Sequence, residues 1–421
     1  MLYYSLYGRL LSERALKDAY KHVRRSNGAP GIDGQTIVNF GTNLDDEIVS
    51  LLKELKDKSY KSSPVKRVKI PKSDGGVRLL GIPTVRDRVV QQAVRVILEP
   101  IFDCDFHPSS YGYRKGKSCH HAISKAQLFI RKYQRKWVVD MDLSKCFDCL
   151  DHDLIISQVR EKVSDGSILN LIRIFLESGV MVSGDYEATV VGSPQGGVIS
   201  PLLANIYLDK FDKFMMSRNH RIIRYADDIL ILCGSEKAAA NAQRVAESYL
   251  QNEMKLQVNR TKTHIAHSCK GIKFLGVNIF TRYTTIQKDK VAIFKQKIKI
   301  ITRKNGSGNI AYVIKKLNPV LRGFMNYFRI ANCKNLQRAL MAWIRRRLRA
   351  VQMRLWKKPS RLHRRLRQLN YKGEFKSIEM RKWHNSKCQL ANWAMSNKWF
   401  HEELKLFHMQ KVEVGFTISV I

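Results

Sequence analysis

Two stretches of the chain read as β-strands, one by the two-residue alternation of a half-buried strand and one by short apolar runs. Residues 137–142, WVVDMD, set Val139 and Met141 on one face and Val138, Asp140 and Asp142 on the other. Residues 221–232, RIIRYADDILIL, are two short β-branched or apolar runs joined by Ala226, Asp227 and Asp228, the pattern of a β-hairpin. From residue 200 the spacing becomes helical: Ser200 reads as the N-cap, Pro201 as the first helical residue, and Leu203, Ile206, Tyr207 and Phe211 as the apolar stripe. A second stripe, Leu336, Leu340, Trp343 and Ile344, runs into the basic cluster Arg345, Arg346, Arg347 and Arg349, which predicts basic amphipathic helices; GSG at 306–308 is expected to turn the chain. No internal repeat or low-complexity segment is present.

Composition then narrows the partners. The 421 residues include 75 Lys or Arg against 36 Asp or Glu, a net charge of +39, while 44% are hydrophobic. Such a chain can bury a sizeable core, which excludes disorder, and its charge attracts polyanions, nucleic acid first. The charge is unevenly spread. Residues 290–373 hold 24 basic side chains and no acidic one, and residues 288–421 carry +26 of the total. Uniform positive charge on helices repels itself unless a polyanion neutralises it. No apolar run approaches a membrane span, and the opening MLYYSLYGRLLSER lacks the basic start and small-residue cleavage site of a signal peptide, so a cytoplasmic protein without membrane partners is expected. Of the eight cysteines only Cys146 and Cys149 form a C-x-x-C, with no second pair to complete a zinc site, and reduced thiols are expected.

The acidic residues of the two strand patterns carry the chemistry. A pair of Asp residues at a turn is by itself ordinary turn chemistry. Brought beside the end of the first strand, however, Asp142, Asp227 and Asp228 make three carboxylates that repel one another without a cation between them. They would suit two Mg²⁺ ions roughly 4 Å apart, the arrangement for in-line phosphoryl displacement.

These residues also carry a resemblance. YADD at 225–228 looks like the active-site box of reverse transcriptases, and GSPQGGVISPLLANIYLDKFD at 192–212 closely resembles the group II intron branch of that family. The same branch is matched in order by NGAPGIDG at 27–34, IPKSDGGVRLLGIPTVRDRVVQQAV at 70–94, SSYGYRKGKS at 109–118, DLSKCFD at 142–148 and KFLGV at 273–277; LNPVLRGFMNYF at 317–328 resembles the maturase thumb.

The resemblance implies an α+β right-hand polymerase. Its parts would be an N-terminal extension over 1–60, fingers and palm over 61–287, an α-helical thumb or maturase domain over 288–373, and a short basic DNA-binding tail over 374–421. It implies that Asp142, Asp227, Asp228 and the Leu143 carbonyl hold two Mg²⁺ ions, with Mn²⁺ as a substitute, and that Phe147 is a steric gate excluding a ribose 2′-OH. Lys72 and Arg78 would grip the incoming triphosphate, Gln195 would lie against the nascent base pair, Lys262 near the departing pyrophosphate, and Leu275 and Gly276 in the primer grip. Arg345, Arg346, Arg347, Arg349, Lys357, Lys358, Arg361, Arg364 and Arg365 are the expected nucleic-acid contacts. Two departures stand out: Cys146 replaces the Phe usual beside the gate, and no paired Cys and His motifs of a nuclease domain follow residue 373, as in the endonuclease-lacking bacterial (class C-like) members. The implied activity is RNA-directed DNA synthesis from dNTPs on a DNA primer or target, with binding of intron RNA for splicing and retrohoming, in a bacterial cytoplasm at the nucleoid. A splicing cofactor with secondary polymerase activity, or a domesticated reverse transcriptase in repair or phage defence, are the alternative expectations.

Overall fold

The computed structural model describes residues 2–71, 76–182, 185–187, 191–192, 196–303, 308–383 and 387–415. They fall into two compact units, Met1–His267 and Ser268–Ile421, and the mixture of helices and sheets is the α+β class expected.

The first unit contains, in order, α1 (Glu13–Ser26), α2 (Ile37–Thr42), α3 (Leu44–Lys56), β1 (Val65–Pro71), β2 (Val77–Ile82), α4 (Val85–Asp103), α5 (Cys119–Arg131), β3 (Trp137–Asp142), α6 (His152–Arg160) and α7 (Gly166–Leu176). They are followed by β4 (Val180–Val182), β5 (Asp185–Glu187), α8 (Ser200–Ser217), β6 (Arg221–Tyr225), β7 (Asp228–Cys233), α9 (Glu236–Asn252) and β8 (His264–His267). The two acidic strand patterns become neighbours in one antiparallel sheet of order β6-β7-β3-β8. Helices α5, α8 and α9 pack against this sheet. Helix α9 approaches through the small buried side chains Ala239, Ala242 and Ala246, which let a helix lie close to β3 and β7. A second sheet, β2-β1-β4-β5, pairs β1 with β2 over Lys66–Pro71 and carries Arg78 opposite Ile70.

The N-terminal 60 residues belong to this unit's core. Ser12 caps α1 by accepting the Ala15 amide, and Leu16, Ala19, Tyr20 and Val23 bury one helical face against α4. The start of α8 differs from expectation by one residue. Ile199 is already αR, its carbonyl accepts from the Leu202 and Leu203 amides, and so Ser200 is the first helical residue rather than the cap.

The second unit opens with a three-stranded meander, β9 (Ile272–Phe274), β10 (Val277–Ile279) and β11 (Thr284–Ile286), whose strands pair with one another. The two compact units meet at 267/268. Among the described residues five α-helices follow: α10 (Lys288–Ile301), α11 (Ile310–Phe328), α12 (Lys334–Trp356), α13 (Pro359–Gln368) and α14 (Gln389–Ala394). Buried positions Ile314, Leu317, Leu321, Met325 and Phe328 in α11, and Leu340, Ile344 and Leu348 in α12, give each helix an inward stripe. Of the turn expected at 306–308, only Gly308 lies within the described residues. Among the described residues no helix is long and apolar enough to cross a membrane.

Candidate active site

The site is built on the two-residue turn between β6 and β7. Tyr225 pairs with Asp228 across the turn, and Asp228 pairs with Asp142 at the end of β3, so the three acidic residues meet at one edge of the sheet. The turn is strained. Ala226 has φ +57°, a left-handed conformation that residues with a Cβ rarely adopt and that persists only where the surroundings over-determine it.

Those surroundings are a buried polar cluster. Arg224, at 0% exposure, is the largest fully buried side chain described. Its Nε donates to both Asp212 carboxylate oxygens (3.0 and 2.8 Å) and its Nη2 to Asp212 Oδ2 (2.7 Å) and Ser110 Oγ (2.8 Å). Its Nη1 donates to Asn205 Oδ1 (2.9 Å) and to the Ala226 carbonyl (3.2 Å), so the guanidinium holds the turn directly. Asn205 Nδ2 in turn donates to the Gly112 carbonyl at 2.9 Å. Gly112 lies so close beneath the turn that a Cβ there would collide with the Ala226 amide nitrogen.

The carboxylates differ in their surroundings. Asp142 accepts from Asn259 Nδ2 at 3.1 Å and pairs with Lys262 Nζ at 3.4 Å. Burial raises the Asp227 carboxyl from its ordinary value, with Asp142 adding to the effect and Arg78 and Lys262 opposing it. Asp228 keeps one side open to solvent, yet desolvation by the surrounding protein, then the charges of Asp227, Asp142 and Asp140, raises its carboxyl to about 7. Among the described residues no three acidic, His or Cys side chains already converge on a common ligand position. Still, cross-strand neighbours such as Asp142 and Asp228 stand only about 4.5 to 5.5 Å apart at Cα. Hard oxygen donors that repel one another at this spacing fit a hard divalent cation.

The other expected residues are placed as follows. Leu143 is buried directly after Asp142, in an isolated bridge with Val258. Phe147 is half-buried in a 3₁₀ turn, edge-on to Tyr113 with ring centroids 6.3 Å apart. Tyr113 also feels the charges of Asp227 and Arg78, so both rings and the exposed Arg78 border the acidic cluster. Cys146 is buried under the same turn, where burial and then Asp227 push its thiol up to about 12. Lys72 and Gln195 lie outside the described residues. Next to the latter, Gly196 has φ +126° and abuts the Gly81 carbonyl, leaving no room for a Cβ. In the second unit Leu275 (φ +45°) and Gly276 (φ +80°) form the tight turn between β9 and β10, and the Leu275 carbonyl accepts from Tyr327 Oη at 3.0 Å.

The basic tract is only partly a surface. Arg349 is buried: its Nε donates to the Met395 carbonyl (3.0 Å), its Nη2 to Asn397 (3.2 Å), and its guanidinium lies over Phe400. Desolvation lowers it to about 10. The expectation of a nucleic-acid contact is therefore corrected to a packing role. Arg347 is half-buried with Nε on Thr302 Oγ1 at 2.7 Å, and Arg345 faces His401 at 3.4 Å. Arg346 is half-buried, and Arg365 is half-buried beside Glu403 at 3.7 Å. Lys357, Lys358, Arg361 and Arg364 are exposed. Sequence reasoning missed Arg224, Asn205, Asp212, Ser110 and Gly112. Asn205 and Asp212, seven apart, share the face of α8 opposite its apolar stripe, and that face is buried as well, so helical periodicity alone reads them as solvent-facing.

Comparison with known proteins matches two stretches of the chain to known families. Residues 70–279 match the reverse transcriptase (RNA-dependent DNA polymerase) family, and residues 291–371 the maturase-specific domain of group II introns. Protein YkfC of Escherichia coli (strain K12) is 36% identical over 300 residues, which are 62% of this chain and 79% of that protein. Group II intron-encoded protein LtrA of Lactococcus lactis subsp. cremoris is 30% identical over 345 residues, 66% of this chain and 57% of LtrA.

Proposed function

The chain belongs to the reverse transcriptases of group II intron type that carry a maturase domain, enzymes of the RNA-directed DNA polymerase class, and on that premise we propose how its residues act. Residues 61–287 serve as fingers and palm, 288–373 as thumb and maturase domain, and 374–421 as a short DNA-binding tail. The observation that carries the reading is the register that sets Asp142 against Asp228 with Asp227 on the intervening turn.

Asp142, Asp227, Asp228 and the Leu143 carbonyl would hold two Mg²⁺ ions, or Mn²⁺ in their place. When bound these supply Lewis acidity at the primer 3′-hydroxyl and at the leaving pyrophosphate. Arg78, with Lys72, neutralises and orients the triphosphate, and Lys262 offers its charge on the pyrophosphate side of Asp142. Gln195 steadies the new base pair. Phe147, braced by Tyr113, fills the space a ribose 2′-OH would need, so dNTPs are selected. The turn at Leu275 and Gly276 grips the primer. Lys357, Lys358, Arg361 and Arg364 meet phosphates of the RNA template or the intron RNA, whose binding promotes splicing and retrohoming at nucleoid DNA.

The test is primer extension on an RNA template with Mg²⁺, supplying dNTPs or NTPs in parallel. Wild type should extend with dNTPs alone, Asp227→Ala should lose extension while binding RNA as before, and Phe147→Ala should begin to use NTPs. Tight RNA binding by wild type without any extension would replace this reading with that of a splicing cofactor.

A further inference from the structure

At the far end of β6 from the catalytic turn, the end of α8 and the segment from α5 into β3 enclose a pocket of about 380 Å³. Five strand residues at about 3.4 Å each separate the two places. The volume lies in the range of roughly 300 to 1,000 Å³ typical of small-molecule sites. No residue lining it is acidic, and three are cations, Lys125, Arg135 and Arg221, none of which has an ion-pair partner among the described residues. Phe129 and Tyr133 form its aromatic wall, with ring centroids 6.0 Å apart; Phe129 is buried and Tyr133 is 55% exposed. Lys125 Nζ already lies 5.2 Å over the Phe129 ring.

The two histidines add donors without adding charge. His107 Nδ1 accepts from the Ser109 amide at 3.2 Å, which leaves the proton of a neutral ring on Nε2. His220, half-buried, also lines the pocket. Aromatic faces beside unpaired cations are the features that hold a base and its phosphate together.

We propose that this pocket binds one nucleoside monophosphate unit, free or within a single strand, with the base against Tyr133 and Phe129 and the phosphate among Lys125, Arg135 and Arg221. It is a second nucleotide site, independent of the polymerase reading and separate from the carboxylates.

The experiment photolabels the full chain with two probes, 8-azidoadenosine 5′-monophosphate and a single-stranded oligonucleotide carrying one 8-azidoadenosine, and maps the adduct by mass spectrometry. Site mapping matters because a chain with net charge +39 binds oligonucleotides at many places. The adduct is expected within residues 125–135, and its yield should fall at least about tenfold in Lys125→Ala/Arg135→Ala, since even one lost charge-assisted phosphate contact is on that scale. Excess AMP should displace the label better than adenosine, which lacks the phosphate. Labelling by both probes marks a site for the free unit; labelling by the oligonucleotide alone marks a strand site. Thermal melting checks that the variant folds, and Arg221→Gln takes its place if it does not. An adduct confined to other segments, or undiminished in the variants, overturns the proposal. Primer extension, measured on the same samples, reports separately on the polymerase.

Discussion

Replacing Arg224 with Met tests whether the catalytic turn is held by its buried cluster. The guanidinium makes six hydrogen-bond contacts, to Asp212, Asn205, Ser110 and the Ala226 carbonyl, and both Arg224 and the Asp212 side chain are fully buried. Methionine leaves the Asp212 carboxylate without its counter-ion, and losing one partner of a buried pair costs about 3–5 kcal/mol. At roughly 2–4 °C per kcal/mol for a unit of this size, the melting temperature should fall by about 10 °C. The double variant Arg224→Met/Asp212→Leu removes the stranded charge as well, and exchanging a buried pair for apolar side chains is often close to neutral, so most of the stability should return. Primer extension should not return, because the Ala226 carbonyl then has no guanidinium to hold the strained turn that carries Asp227 and Asp228. Urea denaturation and primer extension on wild type, single and double variants separate the two effects. A single variant within about 0.5 kcal/mol of wild type, the ordinary range of surface substitutions, would refute the energetic reasoning. A double variant that regains extension along with stability would refute the positioning role.

The remaining expectations concern individual residues. Gly112→Ala should depress kcat more than template binding, since the added methyl must displace the Ala226 amide; a measured kcat equal to wild type would show that the turn tolerates displacement. Arg349→Ala should lower stability by about 1–3 kcal/mol, the cost of leaving buried partners unsatisfied, with no change in the salt dependence of RNA binding. Alanine at Lys357, Lys358, Arg361 and Arg364 together should do the reverse, reducing the slope of log affinity against log salt by about three, as four phosphate contacts on a single strand require. Iodoacetamide at pH 8 should alkylate the exposed Cys104 and Cys269 on the folded protein but not the buried Cys146, whose thiol is held up at about 12; peptide mass mapping reads the difference.

What could be read from the sequence was whatever local period encodes. Strand β3 announced itself by alternation and the β6–β7 hairpin by two β-branched or apolar runs around a turn, and the placement of Asp142 against Asp228 follows once both lie in one sheet. The Arg224 cluster was invisible for a physical reason. An arginine in a strand reads as a solvent-facing position, and its burial depends on partners 12 and 114 residues away, which no local pattern connects. The arginine tract misled in the opposite direction. At 100° per residue Arg345 to Arg349 spans the whole circumference of α12, so some of the cluster must lie beside the buried stripe of Leu340, Ile344 and Leu348. Arg347 is the member beside that stripe, whereas Arg349 lies on the far side of the helix and is buried there by Met395, Asn397 and Phe400.

Charge and chemistry are carried by different stretches of chain, which is why they respond differently to mutation. Residues 288–421 hold +26 of the +39 net charge, whereas every carboxylate of the candidate site lies before residue 229. Phosphate attraction scales with the number of cations engaged, so losing one carboxylate scarcely alters it. Catalysis by positioned charge depends on geometry, so small displacements of the Asp227 turn matter more than any single surface lysine. The strained Ala226 is consistent with that division. A conformation costing on the order of 1–3 kcal/mol is kept where an over-determined frame fixes two carboxylates against a third. The exposed cations of α13, on a helix packed through Leu362 and Leu366, need only face outward.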